Sequence, residues 1–197
     1  MNTFEQAHVY AELLKGLRYV DQKYPLLPGL VYRSHYGFVA EHGRVYEHKP
    51  WSRRYEQGLA KHCYHNAIIM AVRHGLKYIE GVAVSPQDGA ILFHGWNADA
   101  NNEVIDVTWC NTAVLYFGVE FSVERADDAT WNGDSHILND EKRNYPIFQK
   151  RWTGEDYTLE WPYSDRLDYI RNPTREIPPS VAEHLRSIGD ANADPVS

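Results

Sequence analysis

The residue types of a nucleophile, a base and an orienting acid follow one another in the middle third of the chain. Cys63 begins a mostly apolar segment, His94 lies in FHGWN, and Asp106 lies in VIDVTW. A thiol can attack a carbonyl carbon once an imidazole takes its proton. A carboxylate on the other imidazole nitrogen fixes the tautomer and stabilises the imidazolium. The pattern therefore predicts a Cys-His-Asp triad.

Two kinds of element must position these side chains. CYHNAIIMAVRHG (63–75) has the pattern of a short helix that Gly75 can terminate, which places Cys63 at a helix N-terminus. Unpaired backbone N–H groups and the helix dipole favour a thiolate there. Segments 91–96 and 103–108 have strand composition and are joined by the turn ADANN. As antiparallel neighbours, they would bring His94 and Asp106 together on one sheet face.

CYHNA, YIEGVA, FHGWN and VIDVTW together place Cys on a helix, His-x-Trp on a strand and Asp-x-Thr on the next strand. This pattern resembles the papain-like superfamily in its transglutaminase-like form. With YFGVEF, it is similar to uncharacterised proteins of bacteria and their phages. The resemblance covers residues 57–121, about a third of the chain. It implies an α+β papain-like fold in which an antiparallel sheet packs on the helix that starts at the nucleophilic cysteine.

The same resemblance implies roles for the three residues. Cys63 would be the nucleophile, His94 the general base and Asp106 the orienting acid. The reaction would be acyl transfer through a thioester, which cleaves or exchanges an amide or isopeptide bond. Because the superfamily includes peptidases, amidases, acyltransferases and inactive members, the fold alone does not name a substrate. The rival hypothesis is a catalytically inactive papain-like binding module.

A further donor would be needed for the oxyanion that forms on attack. Gln57 lies six residues before Cys63, the separation at which papain-like peptidases carry their oxyanion-hole glutamine. The backbone N–H of Cys63 would be the second donor. One such donor can contribute about 3 kcal/mol to catalysis. The alternative for Gln57 is an exposed loop residue without a role.

A metal site is a second alternative for the cysteine helix. His62, Cys63 and His65 are all ligand types. No Cys-x-x-Cys motif or second ligand pair accompanies them, and three ligands so close together on a helix cannot all face one ion. We therefore expect no metal and no cofactor, and a metal-binding protein is the less favoured rival.

Three further features each have a functional and a structural explanation. Trp96 should share the strand face of His94, where it either lines a substrate cleft or packs in the core. Glu80 is expected to face solvent from its strand, and substrate contact is its alternative. Aromatic residues are dense after 144, where they form either a substrate-selecting lid or the packing of an irregular subdomain: Tyr145, Phe148, Trp152, Tyr157, Trp161 and Tyr163.

Composition limits the possible partners. The chain has 197 residues, 43% hydrophobic, which suffices for one core, and its net charge of −7 gives no basic field for nucleic acid. The N-terminal segment lacks the pattern of a signal peptide, and no run of about eighteen apolar residues occurs. Two cysteines do not imply a disulfide framework. We expect a cytoplasmic protein that acts on a peptide, protein or small amide, with no nucleic-acid or membrane partner.

The remaining pattern predicts the order of elements. We expect a single papain-like catalytic domain over 1–188 with an aromatic-rich C-terminal subdomain, and a flexible tail over 189–197. The expected elements are a helix over 4–20, two extended runs around Gly43 over 36–48, strands within 77–85, 90–98, 103–109 and 114–125, a helix over 134–144, and a closing helix from Ser180.

Overall fold

The chain folds into helices packed on an antiparallel sheet. The structure is a computed structural model that describes residues 3–51, 54–132 and 136–154 together with Leu167 and Arg171. The elements in chain order are α1 (Thr3–Asp21), α2 (His35–His42), β1 (Arg44–Tyr46), α3 (Cys63–His74), β2 (Lys77–Val84), β3 (Ile91–Ala98), β4 (Val104–Ile105), β5 (Leu115–Phe121) and α4 (Val123–Asn132). Three 3-10 turns follow at Ile137–Asn139, Glu141–Arg143 and Pro146–Phe148. The expected α+β class is confirmed.

The strands form one curled antiparallel sheet in the order β1-β5-β2-β3-β4. β2 lies at its centre and is buried from Tyr78 to Val84. The two edges of the sheet meet, because Glu47 beside β1 and Glu103 beside β4 form a parallel bridge. The Glu47 N–H donates to the carbonyl of Asn102, and the Val104 N–H donates to the carbonyl of Glu47. The curl therefore encloses an interior.

The two faces of the sheet bury different cores. The outer face carries the larger core, in which Tyr78 and Val82 of β2 pack with Ile68 of α3. The enclosed face holds a smaller core of Tyr46, Ile79, Ala83, Trp96, Ala98, Val104, Ala113 and Tyr116. Side chains alternate along a strand, so His94 shares the enclosed face with Trp96. The imidazole is thus directed into the interior of the curled sheet.

Helix α3 forms where the sequence predicts it. Gly75 has the left-handed backbone (φ 63°) that ends a helix, and its N–H donates to the carbonyl of Ala71. Ala67, Ile68 and Ala71 of α3 are buried in the larger core. Burial of a side chain such as Ile68 contributes about 1.5–3 kcal/mol. Packing against the sheet therefore fixes the helix whose first residue is Cys63.

The expected extended run over 36–42 is wrong, since these residues belong to α2. Ser34 is its N-cap and accepts a hydrogen bond from the Gly37 N–H, while the Ser34 hydroxyl donates to Asp21 at 2.7 Å. A Cβ at Gly37 would stand 2.4 Å from an Asp21 carboxylate oxygen, so a larger residue there would displace the Asp21 side chain. Phe38 is fully buried. These long-range contacts outweigh the β-propensity of the segment.

Two other expectations near the C-terminus also differ from the structure. The extended run expected over 114–125 ends at Phe121, and α4 begins at Val123. In place of one helix within 134–144, the structure has two 3-10 turns, and Asn144 ends the second with a left-handed backbone (φ 55°).

The closing helix from Ser180, the tail 189–197 and the far end of the 1–188 domain lie outside the described residues. In the part of the chain that is described, no helix has the length and apolar character needed to span a bilayer.

Candidate active site

His94 and Asp106 meet inside the curled sheet. β4 pairs with β3 through Val104 and Ile105, and Asp106 is the residue directly after it. The His94 Nε2 atom lies 2.8 Å from Asp106 Oδ2. Both residues are 1% exposed. On β3 the paired residues are Asn97 and Ala98, so the expected pairing of 91–96 with 103–108 is wrong in its range, yet the short ladder brings the two groups into contact.

The Asp106 carboxylate has donors on both oxygens. Oδ1 accepts the backbone N–H groups of Thr108 (2.9 Å) and Trp109 (3.0 Å). Oδ2 accepts the hydroxyl of Tyr116 at 2.8 Å as well as His94. An ionised carboxylate is an acceptor only, so this set of donors fits the charged form. The orientation of the carboxylate is therefore fixed on both sides.

The electrostatics favour an imidazolium beside a carboxylate. Burial lowers the pKa of His94, but the hydrogen bond with Asp106 and then the interaction with Cys63 outweigh burial and raise this pKa to about 9. Burial raises the pKa of Asp106, yet the hydrogen bond and charge of His94 together with the Trp109 N–H and the Tyr116 hydroxyl bring it below its usual value. Each charged group is stabilised by the other.

Cys63 is the first residue of α3, is half-buried, and lies close enough to His94 to contribute to the raised pKa of the imidazole. Because Nε2 of His94 faces Asp106, Nδ1 is the nitrogen left for the sulfur. The N-cap residue His62 makes no side-chain hydrogen bond to the first turn of α3. The structure thus brings the three predicted residues together at the start of a helix.

Gly95 explains how α3 comes so close to β3. A Cβ at this position would stand 2.6 Å from the Tyr64 ring and 3.1 Å from the Tyr64 Cα. Tyr64 follows Cys63 in the first turn of α3, so the missing side chain at 95 lets this turn lie against the strand that carries His94. The glycine in FHGWN was the available sequence signal for this close approach.

Asn66 connects the helix to the two loops around the site. Its Nδ2 donates to the carbonyl of Leu59 at 2.8 Å and to Thr108 Oγ1 at 2.9 Å, while its Oδ1 accepts the Leu59 N–H. Thr108 in turn donates its backbone N–H to Asp106. The helix that carries Cys63 and the turn that carries Asp106 are therefore held to each other by one buried amide. Sequence reasoning gave Asn66 no such role.

Aromatic rings enclose the imidazole of His94. Trp109 stacks on it with ring centroids 4.3 Å apart, and Trp96 lies nearly parallel to it at 6.3 Å. Trp96 is 1% exposed and packs edge-on against Tyr46. Trp96 therefore backs the imidazole from within the core, and its indole presents almost no surface to a substrate. Trp109, which is partly exposed, is a neighbour of His94 that sequence reasoning missed.

Gln57 and Glu80 lie in opposite environments, one exposed and one buried. Gln57 is exposed on the loop before α3, and its role as an oxyanion donor stays a prediction. The expectation that Glu80 faces solvent is wrong, since it is fully buried. Its carboxylate accepts hydrogen bonds from the Tyr78 hydroxyl and from the N–H groups of Ile137 and Leu138. Three donors compensate for the burial of this group in the central strand.

The described members of the C-terminal aromatic set pack against α2 and β5. Phe148 is buried and its ring contacts those of Phe38 and Tyr145. The Trp152 ring lies against Phe38 and Phe121. These contacts favour the packing explanation for the three residues, while Tyr157, Trp161 and Tyr163 lie outside the described residues.

Within the ranges that the structure describes, which include His62, Cys63 and His65, no three His, Cys, Asp or Glu side chains are grouped so that they could hold a metal ion. The contacts of Cys63 and His94 suit proton transfer between a thiol and an imidazole that a carboxylate orients.

No protein-family model, no curated protein and no solved structure matches this chain.

Proposed function

We propose that this protein is a cysteine-dependent acyl-transfer enzyme with a papain-like, transglutaminase-like fold. The observation that carries the proposal is the buried His94–Asp106 pair, whose remaining imidazole nitrogen is available to Cys63 at the start of α3. Nucleophilic catalysis requires a base next to the cysteine and an acid that is hydrogen-bonded to the base and orients it. The curled antiparallel sheet packed on α3 supports the same fold assignment.

The proposed reaction has two steps. The Cys63 thiolate attacks the carbonyl carbon of an amide or isopeptide, which forms a C–S bond. The C–N bond then breaks as the His94 imidazolium gives its proton to the leaving amine, and a thioester remains on Cys63. Next, water or an acceptor amine attacks the thioester while His94 takes its proton, and the C–S bond breaks to release the acyl product. Water gives hydrolysis and an amine gives transfer.

The tetrahedral intermediate needs donors for its oxyanion. The first turn of α3 has no side-chain cap from His62, so the Cys63 N–H is a candidate donor beside the attacking sulfur. Gln57 is the second candidate, on the exposed loop that Asn66 ties to the helix through Leu59. Each donor would contribute about 3 kcal/mol to transition-state stabilisation.

Acylation by an activated ester tests the proposal. The full-length protein is incubated with a p-nitrophenyl ester, and intact mass with peptide mapping locates the acyl group. We expect one hydroxylamine-sensitive acyl adduct on Cys63, because the thioester forms only where a thiolate is generated. The adduct should be absent in Cys63→Ala and reduced at least tenfold in His94→Ala.

Cys110→Ala is the matched control, since it removes the other cysteine and should leave acylation unchanged. Circular dichroism shows whether each variant remains folded. Equal acylation of Cys63 and Cys110, or a folded His94→Ala variant that reacts like the wild type, would contradict the proposal. Either result would favour the inactive binding module.

A further inference from the structure

Tyr116 contacts the same carboxylate oxygen as the imidazole. It lies on β5 in the smaller core, fully buried, and its hydroxyl is 2.8 Å from Asp106 Oδ2. His94 Nε2 is also 2.8 Å from this atom. The other oxygen, Oδ1, is occupied by the backbone N–H groups of Thr108 and Trp109. Tyr116 and His94 therefore both form a hydrogen bond with the same carboxylate oxygen.

We propose that Tyr116 is a positioning residue of the triad, whose hydroxyl fixes the Asp106 carboxylate and weakens its hold on the proton of His94. This role rests on the proposed function, in which His94 must both accept and release a proton. A hydrogen bond to the charged form of a carboxylate stabilises it and makes it a weaker acceptor for a second donor. The hydroxyl of Tyr116 therefore moderates the imidazolium–carboxylate pair, so that His94 can pass its proton to a leaving amine.

The surroundings of Tyr116 keep it a donor. Burial, and then the charge of Asp106, raise the pKa of Tyr116 far above its usual value, so the hydroxyl remains protonated. The titratable groups that interact with His94 are Cys63 and Asp106. Besides Asp106, those that interact with Tyr116 are Cys110 and His48, whose ring stacks on the Tyr116 ring. Tyr116→Phe removes the hydroxyl, and with it the hydrogen bond to Asp106 and the contact with the Ala113 backbone, while the phenyl ring keeps the packing with Trp96.

The chain offers a matched control in Tyr78. This residue is also buried in the sheet, on the neighbouring strand β2, and its hydroxyl donates to a different buried carboxylate, that of Glu80, at 2.8 Å. Tyr78→Phe thus removes a hydrogen bond of the same type and burial without touching Asp106. Any general loss of stability should be similar in the two variants.

The test is the titration of His94 in the full-length protein. Long-range ¹H–¹⁵N spectra of ¹⁵N-histidine-labelled protein follow the ring nitrogens against pH, and His94→Ala assigns the signals. We expect Tyr116→Phe to raise the midpoint of His94 by about half to one pH unit, that is a three- to tenfold larger ratio of imidazolium to imidazole at a fixed pH. Tyr78→Phe should leave the midpoint unchanged.

An unchanged or lowered midpoint in Tyr116→Phe, or an equal rise in Tyr78→Phe, would overturn the role of Tyr116. Acylation of Cys63 is measured on the same preparations and gives a separate answer. A raised midpoint without acylation of the wild type would support the position of Tyr116 and contradict the proposed function. Acylation without a raised midpoint would overturn the role of Tyr116 alone.

Discussion

At His94, the cost of burying a charged imidazole is offset by its partners. The side chain is almost inaccessible, and burial by itself would keep it neutral. The Asp106 hydrogen bond and the neighbouring Cys63 reverse this and raise the pKa to about 9. Near neutral pH, the imidazolium is therefore the favoured form, and it is the form that can protonate a leaving amine.

The raised pKa of His94 has a consequence for stability. A histidine titrates at about 6.5 in an unfolded chain. Since the folded value is about 9, the folded state binds this proton more tightly. The resulting stabilisation is fully present below about pH 6.5 and is lost as the pH rises through 9. Linkage gives an upper limit of about 3 kcal/mol for this contribution.

Urea unfolding of the wild type and His94→Gln at several pH values from 6 to 9.5 measures this effect. We expect the wild type to lose up to about 3 kcal/mol of its stability advantage over the variant across this range. His8→Gln, which removes an exposed histidine from α1, is the control. A difference between wild type and His94→Gln that stays constant with pH would show that folding does not stabilise the imidazolium.

At the scale of elements, the site depends on the close contact between α3 and β3. The contact is possible because Gly95 has no side chain to separate Tyr64 from the strand. On the other side of His94, β4 pairs over only two residues before the chain turns at Asp106. The turn is held by the Asn111 side chain, whose Oδ1 accepts the Asp106 N–H and whose Nδ2 donates to the Val104 carbonyl. Short elements and specific side-chain contacts thus replace a long hairpin.

Gly95→Ala tests the importance of this contact. The new Cβ would stand 3.1 Å from the Tyr64 Cα, so the first turn of α3 must move by a few tenths of an ångström. We expect Cys63 to be alkylated several-fold more slowly, with a loss of stability of about 1–3 kcal/mol, as for other overpacked sites.

Gly37→Ala provides the comparison for this prediction, because its Cβ would clash with Asp21 between α1 and α2 and not with α3. We expect that variant to lose stability while Cys63 keeps its alkylation rate. If both glycine variants slow alkylation equally, the effect is a general loss of folding, and the contact at Gly95 has no specific part in placing Cys63.

For the whole molecule, the local pattern was enough to predict part of the fold and the contact between His94 and Asp106. The start of α3 at Cys63 and its end at Gly75 follow from local helix signals. The contact between His94 and Asp106 follows from the order of two strands and one turn. These features depend on residues that are near one another in sequence, and their periodicity is visible without knowledge of the rest of the chain.

Features that depend on distant segments could not be predicted in the same way. Tyr116 reaches Asp106 only because β5 inserts between β1 and β2, an order that differs from the order in the sequence. Glu80 is buried because β2 is the central strand and the 3-10 turn at Ile137–Asn139 supplies donors to it. Helix α2 depends on Asp21, which contacts its cap Ser34 from the preceding helix. Strand alternation and helix propensity contain no information about such contacts.

The alkylation rate of Cys63 against pH tests most directly whether Cys63 and His94 act together as the proposed nucleophile and base. Iodoacetamide reacts with thiolates, and Cys110 is the internal reference because burial and the charge of Asp106 raise its pKa. Peptide mapping by mass spectrometry gives the rate at each cysteine from pH 5 to 10. In the wild type, we expect Cys63 to react faster than Cys110 on a plateau that extends below neutrality.

In His94→Ala, the lower edge of this plateau should move up toward the titration of an ordinary thiol, whose pKa is about 8.5. This result would show that the imidazolium stabilises the thiolate in the free protein. A single ordinary titration of Cys63 in the wild type, unchanged by His94→Ala, would contradict the account, since it would mean that sulfur and imidazole do not act together.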